Sequence, residues 1–400
     1  MCPEVYPKTK TSILVLGPFR DHRASEAALL EAVFSQLNAQ LPAPPHYVVP
    51  VFDPEWIDRR LDSDYEAIQI HANPRRGHLG FWGPATLSVL RQCSLVLTVG
   101  SLVPGYSWFD FKNNFVLRLL PLLAVISRKD IPIIGYNIDI SSPVSWSLAG
   151  RQIVKCTLGC HSQVFVRSHT AQAFCNKLGL GRKVHYSTDV RLTSKPAEKK
   201  LVDSLLTMHR VNPSIPVLAL NIVPGVGLFD TPSFFRFVDN TSTFVRLLRQ
   251  SLGVQLVFVC CSAFEERVAQ TVLERMGIWL PILSFPLFSH SELIGVLACS
   301  QLTVTNNPEL CILSMAAGTP VFSWESNPEY YDLMQAAGLR ECYCGAEVQS
   351  VEDMIECVVG AWEHRSATAE DWKRYVSGVK DLARAPAVAV ADILKAHCDA

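Results

Sequence analysis

Residues 12–17, Ser-Ile-Leu-Val-Leu-Gly, are a short apolar run closed by glycine, and the period changes immediately behind them. From Ser25 to Leu37 the apolar positions Ala27, Leu30, Ala32, Val33 and Leu37 return at helical spacing. A brief continuous apolar run bounded by a turn reads as a strand buried on both faces, and the three-and-four spacing reads as an amphipathic helix. Further apolar runs predict strands at 46–51, 67–71, 95–100, 131–137 and 163–167. Helical patterns fall between several of them, at 84–91, 113–127, 145–158 and 170–178. Such alternation predicts a parallel sheet with helices on both faces.

The pattern then restarts. Residues 195–200, Lys-Pro-Ala-Glu-Lys-Lys, are the most polar stretch in the middle of the chain. After a predicted helix at 201–210, strands recur at 216–222, 255–260, 282–285, 302–305 and 320–323. Helices are predicted at 233–251, 264–276, 291–298, 308–317 and 328–337. The expected architecture is α/β: two doubly wound, Rossmann-like domains facing a cleft, over residues 10–195 and 196–345. Three further helices are predicted at 351–363, 369–383 and 388–397, so residues 346–400 are expected to pack on or across the domains. Ligands of such sheets sit beyond the carboxyl ends of the strands.

Composition narrows the function. The chain has 400 residues, 49% of them hydrophobic, with 36 basic against 37 acidic side chains. Two sizeable domains fit that length, and the apolar content excludes a disordered chain. A formal charge of -1 argues against a nucleic-acid partner. The 13 cysteines are odd in number and many lie in apolar runs, which reads as reduced thiols of a cytoplasmic protein. No metal-ligand spacing accompanies them: His161 beside Cys160 has no second ligand pair and reads as a core histidine. No cofactor motif is found. No leader pattern opens the chain, and its longest apolar stretch, 115–127, is broken by Arg118 and Pro121, so no membrane span is expected.

Five loops at predicted strand ends carry the polar candidates. Residues 17–26 bring Arg20, His22 and Arg23 to a helix start, a combination suited to an anion, with a plain capped loop as the competing reading. Gly100 and Ser101 allow close backbone approach to a ligand, or form a simple turn. Asn137 and Asp139, in the loop over 135–143, are placed for hydroxyl recognition, with simple turn formers as the competing reading. Arg167 ends a buried strand, where a charge is costly unless paired. It suits a phosphate or carboxylate in forked geometry, or an internal ion pair with Asp189. Asn306 or Asn307 reads as a helix cap ahead of Pro308, with Glu309 in the first turn.

Four of these stretches together resemble the polysaccharide pyruvyl transferase family over residues 12–339. Ala24-Ser-Glu-Ala-Ala-Leu-Leu30 is similar to its glycine–aspartate–glutamate–alanine helix start, and Cys93–Ser101 to the strand ending in paired glycines, with Ser101 replacing the second. Val164-Phe-Val-Arg-Ser-His-Thr170, Leu178-Gly-Leu180 and Asp189 resemble its arginine, leucine–glycine and aspartate block. Residues 291–298 and Ala317-Gly-Thr-Pro-Val321 resemble its closing segment.

The resemblance implies a fold like that of two-domain GT-B glycosyltransferases and transfer of the enolpyruvyl-derived group of phosphoenolpyruvate onto a sugar. It implies that Arg167 binds the donor's anionic groups and that Asp189 belongs to the same block. The family's closing arginine–x–histidine is replaced here by Asn307 and Glu309. Glu309 or His22 is then expected to act as base, with Arg20, Arg23, Ser101, Asn137, Arg167, Asp189 and Asn307 binding substrate. The expected partners are a small anionic donor, phosphoenolpyruvate or a nucleotide sugar, and a sugar acceptor. A nucleotide-sugar glycosyltransferase, for which Glu325 would serve the ribose, and a catalytically silent binding protein are the other two readings.

Overall fold

The computed structural model describes residues 11–17, 24–51, 64–69, 92–101, 131–140, 148–224, 231–284, 288–323, 333–339 and 350–398, together with residues 19, 55, 61, 90, 123, 124, 126 and 342. The chain is α/β with two parallel sheets, a GT-B-like fold, and divides into two compact units. The first unit comprises Met1–His22, Leu29–Val190 and Asp381–Ala400, and the second Arg23–Ala28 and Arg191–Lys380.

The first unit holds seven strands: β1 (Ser12–Leu16), β2 (His46–Val51), β3 (Glu66–Gln69), β4 (Leu95–Ser101), β5 (Ile133–Asp139), β6 (Gln163–Val166) and β7 (Val184–Tyr186). They pair in parallel in the order β3-β2-β1-β4-β5-β6-β7. Helices α1 (Ala24–Gln40), α2 (Leu148–Gly159) and α3 (His169–Lys177) cover it. Successive side chains of a strand point to opposite faces. Accordingly Ile13 and Val15 pack with Leu30, Val33 and Phe34 of α1, whereas Leu14 and Leu16 pack with Val154, Leu158 and Ala171 of α2 and α3. Both faces are apolar, which is why β1 has no polar alternation.

In the second unit β8 (Val217–Asn221), β9 (Gln255–Cys260), β10 (Ile282–Ser284), β11 (Leu302–Thr305) and β12 (Val321–Ser323) form a parallel sheet in the order β10-β9-β8-β11-β12. Around them lie α4 (Lys199–Met208), α5 (Pro232–Ser251), α6 (Ala263–Met276), α7 (His290–Ala298) and α8 (Pro308–Ala317). In each sheet the order reverses beside the first strand, between β1 and β4 and between β8 and β11. Chains in such sheets leave a crevice at that point, at the strands' carboxyl ends.

Most expected elements are present within a few residues, and 46–51, 255–260, 302–305 and 308–317 carry the bounds read from sequence. The helices expected at 84–91 and 113–127 lie almost wholly outside the described residues, as does the first half of 328–337. Strand β7 was not expected, being three residues of which only Val184 is buried. The three C-terminal helices are a single one, α9 (Val351–Cys398), 48 residues long with Pro386 inside it. The polar stretch that suggested a break, 364–368, hydrogen-bonds within the helix: Thr368 Oγ1 donates to the His364 carbonyl (3.2 Å) and His364 Nδ1 to that of Gly360 (2.9 Å). Packing on both sides of Pro386 offsets the bond the proline cannot make, Trp372 and Val376 in one core and Ala387, Val390 and Leu394 in the other.

His161 is the buried histidine its sequence context suggested. Its Nδ1 lies 3.0 Å from the Thr157 carbonyl, which can only accept, so Nδ1 carries the proton and Nε2 accepts from Thr98 Oγ1 at 2.7 Å. Burial pushes its pKa down from 6.5 to about 4. The unfolded chain therefore binds a proton here that the folded chain refuses between those values. Stability should fall as pH is lowered through this window, by about 3 kcal/mol from this residue. Urea denaturation at a series of pH values should show that slope flatten in His161→Gln.

Gly295 of α7 meets α4 closely: a Cβ there would lie 2.4 Å from Val202 Cγ2. Gly295→Ala should therefore cost about 1–3 kcal/mol despite alanine's better helix propensity. Gly360→Ala in α9, with open space around its Cβ, should gain about 0.5–1 kcal/mol. Thermal unfolding of the two variants checks the contrast.

Candidate functional site

Polar side chains collect at the carboxyl edge of each sheet. In the first unit the strand β5 bulges where its pairing shifts register between Gly135 and Ile138, and Asn137 sits in the bulge with φ 56°. Asparagine tolerates this left-handed conformation better than most residues. Its Oδ1 accepts from the Val190 N–H at 2.9 Å, tying the end of β5 to the segment after β7. Its Nδ2 is buried without a hydrogen-bond partner among the described residues.

Two residues on, Asp139 ends β5, and Arg167 follows β6. Arg167 Nη2 lies 2.9 Å from Asp139 Oδ2, and Nη1 lies 3.1 Å from Asp189 Oδ2. The guanidinium thus bridges two buried carboxylates. Ser168, the next residue, caps α3 by accepting the Ala171 N–H, and this fixes Arg167 at the helix start. The ion pair with Asp189 was an open reading of the sequence. Asp139 was expected to meet hydroxyls, together with Asn137; its pairing with Arg167 was not foreseen. Nearby, the His169 ring stacks on Tyr186 with centroids 3.8 Å apart.

The second unit's edge is built from amides around one carboxylate. Glu265, in the first turn of α6, accepts at Oε2 from Asn221 Nδ2 and from the Cys261 N–H, both at 2.6 Å, and at Oε1 from Asn307 Nδ2 at 3.1 Å. Burial, and then the nearby Glu309 carboxylate, raise its pKa above the usual carboxylate range against the pull of these donors. Asn221 ends β8 and also donates to the Val259 carbonyl. Thr305, ending β11, donates to Asn221 Oδ1 at 3.3 Å and accepts the Asn307 N–H at 2.9 Å. Asn306 and Val223 exchange two hydrogen bonds, Nδ2 to the carbonyl at 2.7 Å and N–H to Oδ1 at 2.8 Å, which closes the gap between the ends of β8 and β11.

Asn307 caps α8, its Oδ1 accepting the Glu309 N–H at 2.9 Å. The Glu309 carboxylate, half-buried, has no hydrogen-bond partner among the described residues. Asn307 and Glu309 are therefore brought to one edge, and Asn137, Arg167 and Asp189 to another. Ser101 closes β4 by its backbone, beside Gly100 at φ 90°. Arg20, His22, Arg23 and Glu325 lie outside the described residues.

Sequence reading missed Glu265 and Asn221, and offered Asn306 only as an alternative cap of α8, a role that falls to Asn307 while Asn306 ties Val223. Ser262 and Glu265 have the spacing of a capping box, which made Glu265 look like ordinary helix chemistry. Ser262 does cap α6, but the Glu265 carboxylate reaches past it to Cys261, Asn221 and Asn307. Among the described residues no group of three or more His, Cys, Asp or Glu is placed to hold a metal ion, and no helix is long and apolar enough to cross a membrane.

No family model matches the sequence. No curated protein matches it either. Solved structures do match in fold. The UDP-GlcNAc 2-epimerase of Neisseria meningitidis, bound to UDP-GlcNAc, superimposes with a TM-score of 0.61 at 10% identity over 96% of this chain and 99% of that one. S. aureus MnaA with UDP gives 0.62 at 11% identity over 91% of each chain. Anabaena HepE in complex with UDP gives 0.57 at 13% identity over 96% of this chain and all of that one. At such identities the likeness establishes the fold.

Removing the charge at the first edge should leave the Asp139 and Asp189 carboxylates without the guanidinium that bridges them. Arg167→Met should lower stability by about 3–5 kcal/mol, whereas Arg167→Met combined with Asp139→Asn and Asp189→Asn should recover part of that loss. Equilibrium unfolding of the single and triple variants measures both.

Proposed function

We propose that this chain is a nucleotide-sugar-dependent transferase that places a sugar on a hydroxyl of a carbohydrate acceptor. The observation that carries the reading is the edge at the β8/β11 reversal: a half-buried carboxylate, Glu309, held at a helix start among hydroxyl and amide groups. A carboxylate without protein donors is suited to accept from the hydroxyls of a ribose or a sugar, or to take a proton from one. The fold supports the same reading, since the Neisseria, S. aureus and Anabaena structures are complexes with UDP or UDP-GlcNAc.

In the transfer, the acceptor oxygen bonds to the anomeric carbon as the nucleoside diphosphate leaves with the bonding pair. Glu309 takes the acceptor's proton. Asn307 fixes Glu309 by capping its backbone, and Glu265 fixes Asn307. Asp139, Arg167 and Asp189 of the first unit offer carboxylate acceptors and a guanidinium donor, chemistry proposed here for a hydroxyl-bearing acceptor. Arg20, Arg23 and His22 are proposed for the donor's charged groups, and Ser101 and Asn137 for substrate binding.

Calorimetric titration of the full chain with UDP, and separately with phosphoenolpyruvate, tests the reading. Saturable UDP binding is expected, with no phosphoenolpyruvate binding. Glu309→Gln should lower turnover with the accepted donor by about 100-fold or more while leaving UDP affinity within twofold. Phosphoenolpyruvate binding without UDP binding overturns the proposal in favour of pyruvyl transfer, and binding of neither overturns enzymatic donor use. Appearance of the 2-epimer when UDP-GlcNAc is incubated alone, followed by NMR, would replace transfer with epimerisation.

A further inference from the structure

A second concavity lies within the second unit at the opposite end of the strands from Asn221 and Asn307. Its walls are segments that precede strands: residues 208–210 close α4 ahead of β8, and residues 277–282 join α6 to β10. The cavity measures about 630 Å³, inside the range of roughly 300–1,000 Å³ typical of ligand pockets. Trp279 presents 59% of its surface there and Met208 presents 68%. Apolar groups of this size are not normally left open unless something covers them.

The polar groups at the rim are equally uncommitted. Among the described residues, the side chains of His209, Arg210 and Glu274 have no hydrogen-bond or ion-pair partner. The Arg210 guanidinium lies 5.6 Å from the centre of the Trp279 ring, and the His209 ring meets Phe288 edge-on at 5.4 Å. The backbone is also unusual. Helix α4 ends with the Val211 N–H on the Leu206 carbonyl (2.8 Å) and the Arg210 N–H on that of Thr207 (2.9 Å), which puts Arg210 at φ 60°. The helices α3, α6 and α8 make the same kind of turn with Gly179, Gly277 and Gly318. Glycine adopts this conformation without strain and arginine does not. At α4 the chain accepts the strain and gains a guanidinium over an open indole.

We propose that this cavity binds a carbohydrate chain, apart from the donor and acceptor positions of the catalytic edges. A pyranose has a flat C–H face that packs on an indole, and vicinal hydroxyls that a guanidinium fork and a carboxylate can hold together. The lining supplies each of these: Trp279 as the platform, Leu273 and Leu280 beneath, and Arg210, Glu274 and Gln270 at the rim. Arg210 and Glu274 balance in charge, so neither a polyanion nor a polycation is favoured, and the hollow shape does not suit insertion into a lipid surface. The inference goes beyond the donor reading and stands without it.

A printed glycan array probed with the full chain tests it. Concentration-dependent binding to glycans sharing a common sugar is expected, weakened about tenfold or more in Trp279→Ala, as for loss of a central aromatic anchor. Calorimetric UDP binding should be the same in that variant as in the parent. Arg210→Gly should raise the melting temperature by about 2–4 °C through relief of the strained turn and still weaken glycan binding. That opposition separates a ligand contact from a structural one. Absence of glycan binding overturns the proposal, as does equal binding by Trp279→Ala. A concentration-dependent dimer in sedimentation that Trp279→Ala dissociates would assign the face to a second copy and overturn it too.

Discussion

A parallel sheet covered on both faces leaves a polar side chain almost nowhere to go. Its backbone donors and acceptors are consumed by neighbouring strands; each face of β1 and β4 is pressed into an apolar cluster, and the apolar residues of β8 and β9 are buried on both faces. Polar groups can enter only where a strand stops, and whatever enters there must find partners, because an unpaired buried donor or acceptor costs about 1–3 kcal/mol. The two units meet this constraint differently. In the first, one guanidinium, Arg167, bridges two carboxylates. In the second, neutral amides from three elements converge on Glu265. Because these pairings fix the strand ends, they also fix the loops that leave them: Asn137 anchors Val190, and Asn306 anchors Val223.

Elements whose interior is uniformly apolar were legible in the sequence for the same reason. A strand such as 255–260 or 302–305 has one stable place, and its ends are marked by the first polar residue. The short strand β7 lacked that signature because two of its three residues face outward or sit at the boundary. Helix α9 was misread as three helices because its polar stretches look like stops. Those groups bond to the preceding turn instead, and tertiary packing on either side holds the helix through Pro386. Within the candidate site, Asn137, Asp139 and Arg167 could be named from sequence by their place at strand ends, whereas Asn221 was hidden because the apolar run around it was read as continuing to 222. Glu265 could not be named, because its role depends on where Asn221 and Asn307 point, and each belongs to a different strand or helix far away along the chain.

The replacement of arginine–x–histidine by Asn307 and Glu309 is best understood through those neighbours. Asn307 does two things at once: its Oδ1 caps α8, and its Nδ2 reaches Glu265. An arginine in its place would give up the cap and form an ion pair with Glu265 instead of facing a ligand. The amide at 307, the carboxylate at 265 and the amide at 221 therefore act as a set, and a change at one alters what the other two can do. With Glu265 and Glu309 sharing this edge, and amide and hydroxyl groups set against them among the described residues, a small and highly charged anion gains little there. A nucleotide sugar differs, because it can turn ribose or sugar hydroxyls toward the carboxylates and keep its diphosphate away from them. The edge as built therefore fits the proposed nucleotide-sugar donor better than it fits phosphoenolpyruvate.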